Sequence, residues 1–193
     1  MDAKIYAIQR RLKDLGFDPG PNDGIWGPAT RDAIYAQLGL GKTTSVGSDA
    51  VAAPWFDLAM TQIGVREVAG AGNSPTVMDY LAEASGQQLP DATPWCAGFV
   101  GAMLARSGYR PSGSLMARSY LDWGAMLDKP RRGCVVVLKR GAPPAGHVGL
   151  AVEWNGATVK ILGGNQSDAV SIATFSRASI IGYRWPSQTL NAG

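Results

Sequence analysis

Three side chains in this sequence have the types and the order that nucleophilic acyl chemistry needs: Cys96, His147 and Asn165. Cys96 follows Pro94-Trp95 and opens a run in which Phe99, Val100, Met103 and Leu104 recur at helical spacing until Gly108. A helix N-terminus presents unpaired N–H groups and a positive dipole end, so a cysteine there is expected to ionise readily and to have oxyanion donors beside it. His147 is the sole histidine, so any imidazole chemistry runs through it, and zinc sites built on two or three imidazoles lack their material. It stands between Pro143-Pro144-Ala145-Gly146 and the apolar run Val148 to Val152, which places it at a strand edge where a loop opens to solvent. There it would take the thiol proton as a general base, or pair with the thiolate, and later protonate a leaving amine. Asn165, in Leu162-Gly163-Gly164-Asn165-Gln166, comes eighteen residues later, one hairpin away, and would orient the ring. Each residue alone has an ordinary reading: a small buried thiol, a satisfied histidine, a turn asparagine. The order Cys, His, Asn on helix, strand and next strand is what singles them out.

The elements that must carry these residues follow from periodicity. Ile5, Ile8, Leu12 and Leu15 mark a first helix that Gly16 ends; Asp18 to Gly24 is turn-rich, and Ile25-Trp26-Gly27 reads as an apolar plug. Pro28 suits the first turn of a second helix with Ala29, Ala33, Ile34 and Leu38 on its buried face. The stretch from Gly41 to Pro54 has no period and reads as a linker, dividing the chain into 1–40, 41–54, 55–186 and a tail at 187–193. Helices are expected at Trp55 to Ile63, Val77 to Leu81 and from Cys96. Strands are expected at Cys134 to Lys139, Val148 to Trp154, Thr158 to Leu162, Val170 to Ala173 and Ile180 to Trp185. Helices first and strands later predict an α+β fold with an antiparallel sheet.

Composition narrows the function classes. With 193 residues, 46% hydrophobic and 17% charged, the chain can bury a core and is far from the signature of disorder. No apolar run approaches the roughly 20 residues of a membrane span, and no apolar leader follows Met1. A net charge of +3 without a run of like charges gives no nucleic-acid arm. Two cysteines, Cys96 and Cys134, are too few for a disulfide scaffold. A lone Glu67 lacks the opposed carboxylate that a glycosidase needs.

The segments Pro94-Trp95-Cys96-Ala97-Gly98-Phe99-Val100, Gly146-His147-Val148-Gly149, Leu162-Gly163-Gly164-Asn165-Gln166 and Gly182-Tyr183-Arg184-Trp185-Pro186 resemble the CHAP and NlpC/P60 type of peptidoglycan hydrolase. Gly64-Val65-Arg66-Glu67, Asn73-Ser74-Pro75 and Tyr80 extend the resemblance upstream. It implies a papain-like domain with Cys96 as nucleophile, His147 as base and Asn165 as orienter. It also implies that the cut bond is an amide of the wall, muramoyl to L-alanine or within the peptide stem. Trp95, Glu67, Asp91 and Gln166 are candidate substrate contacts, with a core role for Trp95, a structural role for Glu67 and a loop or capping role for Asp91 as the alternatives. The front of the chain resembles the peptidoglycan-binding-1 domain, a three-helix wall-binding fold. That likeness rests on Ile8-Gln9-Arg10-Arg11-Leu12, Leu15-Gly16-Phe17 and Asp23-Gly24-Ile25-Trp26-Gly27-Pro28-Ala29-Thr30, with Asp23 and Trp26 beside the ligand groove. Departures are visible: Gly133-Cys134 stands where the family has Gly-Asp, Asp91-Ala92 where it often has Asp-Glu, and the alternating aspartates of calcium-binding relatives are missing. A metal-free, cofactor-free monomer acting on bacterial peptidoglycan is therefore expected, held in the host cytoplasm until release to the wall. A phage lysin and a secreted bacterial effector fit equally. A non-catalytic wall-binding protein and a lysozyme-like glycosidase are the alternatives.

Overall fold

The structure, a computed structural model, describes residues 2–38, 53–70, 72–187 and 189. The chain divides into two compact units, 1–52 and 53–193. The linker expected from Gly41 falls almost wholly on residues outside those described, as does most of the tail. No helix among the described residues is long and apolar enough to cross a membrane.

In the first unit, α1 (Ala3–Asp14) starts at Asp2, whose Oδ1 accepts the N–H groups of Lys4 at 2.8 Å and Ile5 at 3.2 Å. The second helix, α2 (Pro28–Gln37), buries Thr30, Ala33, Ile34 and Tyr35. Ala29 and Leu38, expected on its buried face, are exposed, and so is Ile25 of the expected plug. Any third helix of this unit falls outside the described residues.

What organises the loop between the helices is polar. Gln9 is 1% exposed; its amide nitrogen donates to Asp23 Oδ1 at 3.0 Å, Ile25 O at 3.1 Å and Thr30 Oγ1 at 3.0 Å, and its amide oxygen accepts Gly24 N–H at 2.8 Å. One side chain thus satisfies both ends of the turn, which a hydrophobic pattern cannot reveal.

The second unit is α+β. Three helices, α3 (Pro54–Met60), α4 (Pro75–Ser85) and α5 (Cys96–Arg106), precede a 3-10 helix at Ala117–Asp122. Six strands follow: β1 (Ala125–Met126), β2 (Val135–Lys139), β3 (Gly146–Trp154), β4 (Thr158–Gly163), β5 (Ser171–Ser176) and β6 (Ile180–Trp185). They form one sheet in the order β1-β6-β2-β3-β4-β5, antiparallel throughout. Val135 to Leu138 are all buried, as a strand covered on both faces requires. Cys134 lies in the core cluster with Val136, Leu138, Ala151, Val159 and Ile161, where it serves as a small apolar filler. Its thiol is pushed up to about 12 by burial.

The helix that carries Cys96 is buried from Cys96 to Leu104 and packs on α4, β3 and β4. Two glycines permit that approach. A Cβ on Gly98 would lie 3.2 Å from Leu81 Cδ2, and one on Gly101 would lie 2.5 Å from Ala84 Cβ and 3.2 Å from Ala84 Cα. Gly101→Val should therefore force α4 and α5 apart and destabilise the second unit by about 1–3 kcal/mol, read as a lower urea midpoint. An unchanged midpoint would show that the interface gives way easily.

Candidate functional site

Trp95 is the N-cap of α5, and the first N–H engaged inside the helix is that of Phe99, on Trp95 O at 2.8 Å. The N–H groups of Cys96, Ala97 and Gly98 thus precede the helical ladder. The Cys96 thiol lies against the N–H groups of Val148, of Ala97 and of its own residue. Val148 is the neighbour of His147, so the thiol reaches β3 at the imidazole's position in the chain. Both cysteines are free, Cys96 9% exposed and Cys134 fully buried.

His147 does not stand at a loop edge. It is the second residue of β3, paired with Leu138 of β2, and is 3% exposed. Its ring stacks obliquely on Phe175, with centroids 5.5 Å apart. Nε2 lies 3.2 Å from Gln166 Oε1, whereas Nδ1 is buried and unpartnered. The Gln166 amide nitrogen faces only acceptors on its other side: Ser171 O at 2.5 Å, Gly163 O at 3.3 Å and Ile161 O at 3.4 Å. Those carbonyls fix which end of the amide is nitrogen, so the oxygen faces the imidazole, and an amide oxygen can only accept. The proton therefore sits on Nε2, and Nδ1 keeps a lone pair able to receive another.

The structure brings Gln166, not Asn165, to the imidazole. The turn after β4 holds Asn165, Ser167 and Asp168 at φ values of 55°, 55° and 58°, and closes with Gln166 N–H on Ala169 O at 3.0 Å. Three non-glycine residues in the left-handed region fold Gln166 back onto the sheet and leave Asn165 half-buried beside it. Gln166, expected to touch substrate, is 8% exposed, with its amide oxygen facing His147 Nε2.

The other expected substrate contacts are also turned inward. Trp95 is fully buried and donates its indole N–H to Glu67 Oε2 at 2.9 Å. A Cβ on Gly164 would lie 2.5 Å from Trp95 Cζ3, so the glycine pair lets the end of β4 pass under the indole. Segment 64–67 is itself laced to the turn through Gly64 N–H on Val170 O at 2.9 Å and Val170 N–H on Val65 O at 2.8 Å. Asp91, 2% exposed, accepts the N–H groups of Val68 at 2.8 Å and Ser74 at 2.7 Å on Oδ2, and these hold its carboxyl below the usual range. It is a loop tie. In the first unit, Asp23 Oδ1 takes the Gln9 amide and the Ile25 N–H at 2.9 Å, which likewise depress its pKa, while Trp26 is half-buried.

Burial decides the protonation state of the pair. It raises the Cys96 thiol above its ordinary value, against the opposing pull of the Val148 and Ala97 N–H groups and of Arg140. It lowers His147, with Arg140 acting in the same direction and the Gln166 hydrogen bond opposing. The helix N-terminus thus fails to make a resting thiolate, contrary to the expectation from position alone, because the donors there do not replace the water that a buried anion loses. Both shifts favour the neutral forms, a thiol at Cys96 and an imidazole at His147.

A pH profile tests this. A neutral base places the acid limb of kcat/KM below the ordinary histidine value of 6.5, with no falling limb between about pH 7 and 9. A resting ion pair would instead give a descending limb there. The same depressed pKa removes folding stability as pH falls from 6.5 through the folded-state value, since the unfolded chain binds the proton first.

Among the described residues no three of His, Cys, Asp and Glu gather where they could hold a metal ion. No curated protein matches the chain. A solved structure described as similar to a lipoprotein of the NLP/P60 family, from Staphylococcus aureus subsp. aureus Mu50, aligns over 95% of this chain at 14% identity and a TM-score of 0.40. The chain spans 62% of that protein's length. Residues 2–36 match the family model of a putative peptidoglycan binding domain.

Proposed function

We propose that the chain is a peptidoglycan hydrolase that binds the wall through its first unit and cleaves an amide through its second. The observation that carries this reading is a helix-start thiol lying against the N–H of Val148, the chain neighbour of an imidazole whose Nε2 faces Gln166 Oε1. Gln166 pins the ring proton on Nε2, so the lone pair on Nδ1 is the one left to receive the thiol proton. The family match of residues 2–36 supplies the polymer.

In the reaction, His147 Nδ1 takes the Cys96 proton as sulfur attacks the amide carbon and the C=O electron pair moves to oxygen. The N–H groups opening α5 stabilise that oxyanion. When the pair returns, the C–N bond breaks, the amine leaves with the proton from Nδ1, and a thioester remains on Cys96. Water then attacks the thioester, giving its proton to Nδ1, and thiol and carboxylate are restored. Gln166 takes the orienting role that the resemblance assigns to Asn165. Tethering the two units keeps the second at high effective concentration on an insoluble substrate.

Glu67 Oε2 accepts the Trp95 indole N–H, and a glycosidase would need a second carboxylate opposed to it, for which the sequence offers no partner. Mass spectrometry of digested sacculi is the test. New amine and carboxyl ends are expected, and their masses distinguish amidase from endopeptidase. Reducing-end sugar products, or no soluble products, would overturn the reading.

A further inference from the structure

We infer that Arg140 is a specificity residue of the Cys96 site, recognising a carboxylate on the substrate next to the scissile amide. The inference rests on the proposed reading for the identity of the substrate, though not for the site itself. Arg140 is the first residue beyond the β2–β3 ladder, whose last pairs are Leu138 with His147 and Lys139 with Gly146. The strand register therefore sets it at the end of the sheet that bears the imidazole. The following loop is held in place, since Arg118 Nε donates to Ala145 O at 2.8 Å and a Cβ on Gly146 would lie 3.2 Å from Arg118 Cγ.

Arg140 is exposed and, among the described residues, makes no hydrogen bond or ion pair. Its neighbours in chemistry are occupied: Arg118 on Ala145 O, Arg177 on Asn155 O at 2.9 Å, Arg184 on Leu121 O at 2.7 Å, and Arg106 on Glu83 at 2.7 Å. Its charge reaches both the Cys96 thiol and the His147 ring, and no carboxylate acts on either group. Asp91 accepts backbone N–H groups and Glu67 the Trp95 indole. A guanidinium without a carboxylate partner, at the strand end next to the imidazole, is available for a ligand to complement, and a planar fork suits a carboxylate. A free carboxyl on an acidic stem peptide is such a group.

Alkylation of Cys96 by iodoacetate and by iodoacetamide reads this directly. Both reagents attack the same thiolate and differ in carrying a carboxylate, so the ratio of their rate constants cancels changes in thiol ionisation. Cys134, fully buried, does not contribute. Arg140→Gln is expected to lower the iodoacetate to iodoacetamide ratio about three- to tenfold, Arg140→Lys to keep most of it, and 1 M salt to lower the wild-type ratio towards the variant's. An unchanged ratio in Arg140→Gln overturns the inference. A second arm compares native sacculi with sacculi whose carboxyls have been amidated by carbodiimide coupling. The wild type should prefer the native material, and Arg140→Gln should lose that preference; a retained preference counts against Arg140. Sacculi cleaved with an unchanged alkylation ratio would sink this inference alone. A lowered ratio on a chain that cleaves no sacculi would sink the hydrolase reading alone.

Discussion

Cys96→Ala is expected to reduce amide cleavage in sacculi at least about a thousandfold while the protein still folds and still binds the wall. The magnitude follows from what is removed: no other side chain in the site can form an acyl intermediate, so the variant keeps only binding and the oxyanion donors. Folding should survive because the lost sulfur is small and Cys96 keeps 9% of its surface in contact with solvent. The measurements are turbidity clearance of purified sacculi, sedimentation with sacculi for binding, and thermal unfolding. Iodoacetamide supplies an independent arm. The native chain should take up one equivalent with loss of activity, since Cys134 is fully buried and its thiol is pushed up to about 12. A Cys96→Ala protein that clears sacculi as fast as the parent would leave a wall-binding module with another catalytic group, and the thiol mechanism would be lost.

The elements that carry Cys96 and His147 are legible because they obey simple periods. The apolar spacing from Phe99 to Leu104 announces α5, and β-branched runs announce β2 to β6, with β6 at Ile180–Trp185 as expected. What escaped is what periodicity does not encode. The two-residue β1 is too short to have a pattern. The polar centre of the first unit hides in Gln9, which looks like a surface residue on a helix and is 1% exposed.

At the site the difference between Asn165 and Gln166 is one of register. Gly163-Gly164-Asn165 is good turn chemistry, and a turn asparagine is a reasonable orienter. Yet the side chain that returns to the sheet is chosen by left-handed backbone at Asn165, Ser167 and Asp168, and nothing local shows that non-glycine residues will adopt it. Likewise position alone argued for a thiolate at Cys96. The opposing effect, desolvation by a sheet pressed over the helix start, depends on tertiary packing. Trp95 and Asp91 read from sequence either as substrate contacts or as core and loop residues, and the same cause leaves that choice open there. A buried tryptophan with its indole satisfied, and a carboxylate satisfied by two N–H groups, are scaffold, and only coordinates tell scaffold from cleft.

The register finding yields the second large effect. Gln166→Leu should lower kcat about a hundredfold with KM little changed, because the ring then loses the hydrogen bond that fixes its tautomer and direction. In the same substitution Ser171 O and Gly163 O lose the amide they accept from, at 2.5 Å and 3.3 Å, so stability also falls, by roughly 1–3 kcal/mol. Unfolding must therefore be measured alongside, and rates taken well below the transition. A merely structural role would lower active concentration and leave kcat per folded molecule and the pH profile alone. A positioning role changes both, since a ring free to swap tautomers presents the wrong nitrogen part of the time. Asn165→Gly is the matched control: glycine accepts the φ of 55° without strain, so activity should stay within about twofold. If instead Asn165→Gly is the crippling change and Gln166→Leu is mild once folding is accounted for, the asparagine is the orienter and the hydrogen bond between Nε2 and Gln166 is incidental.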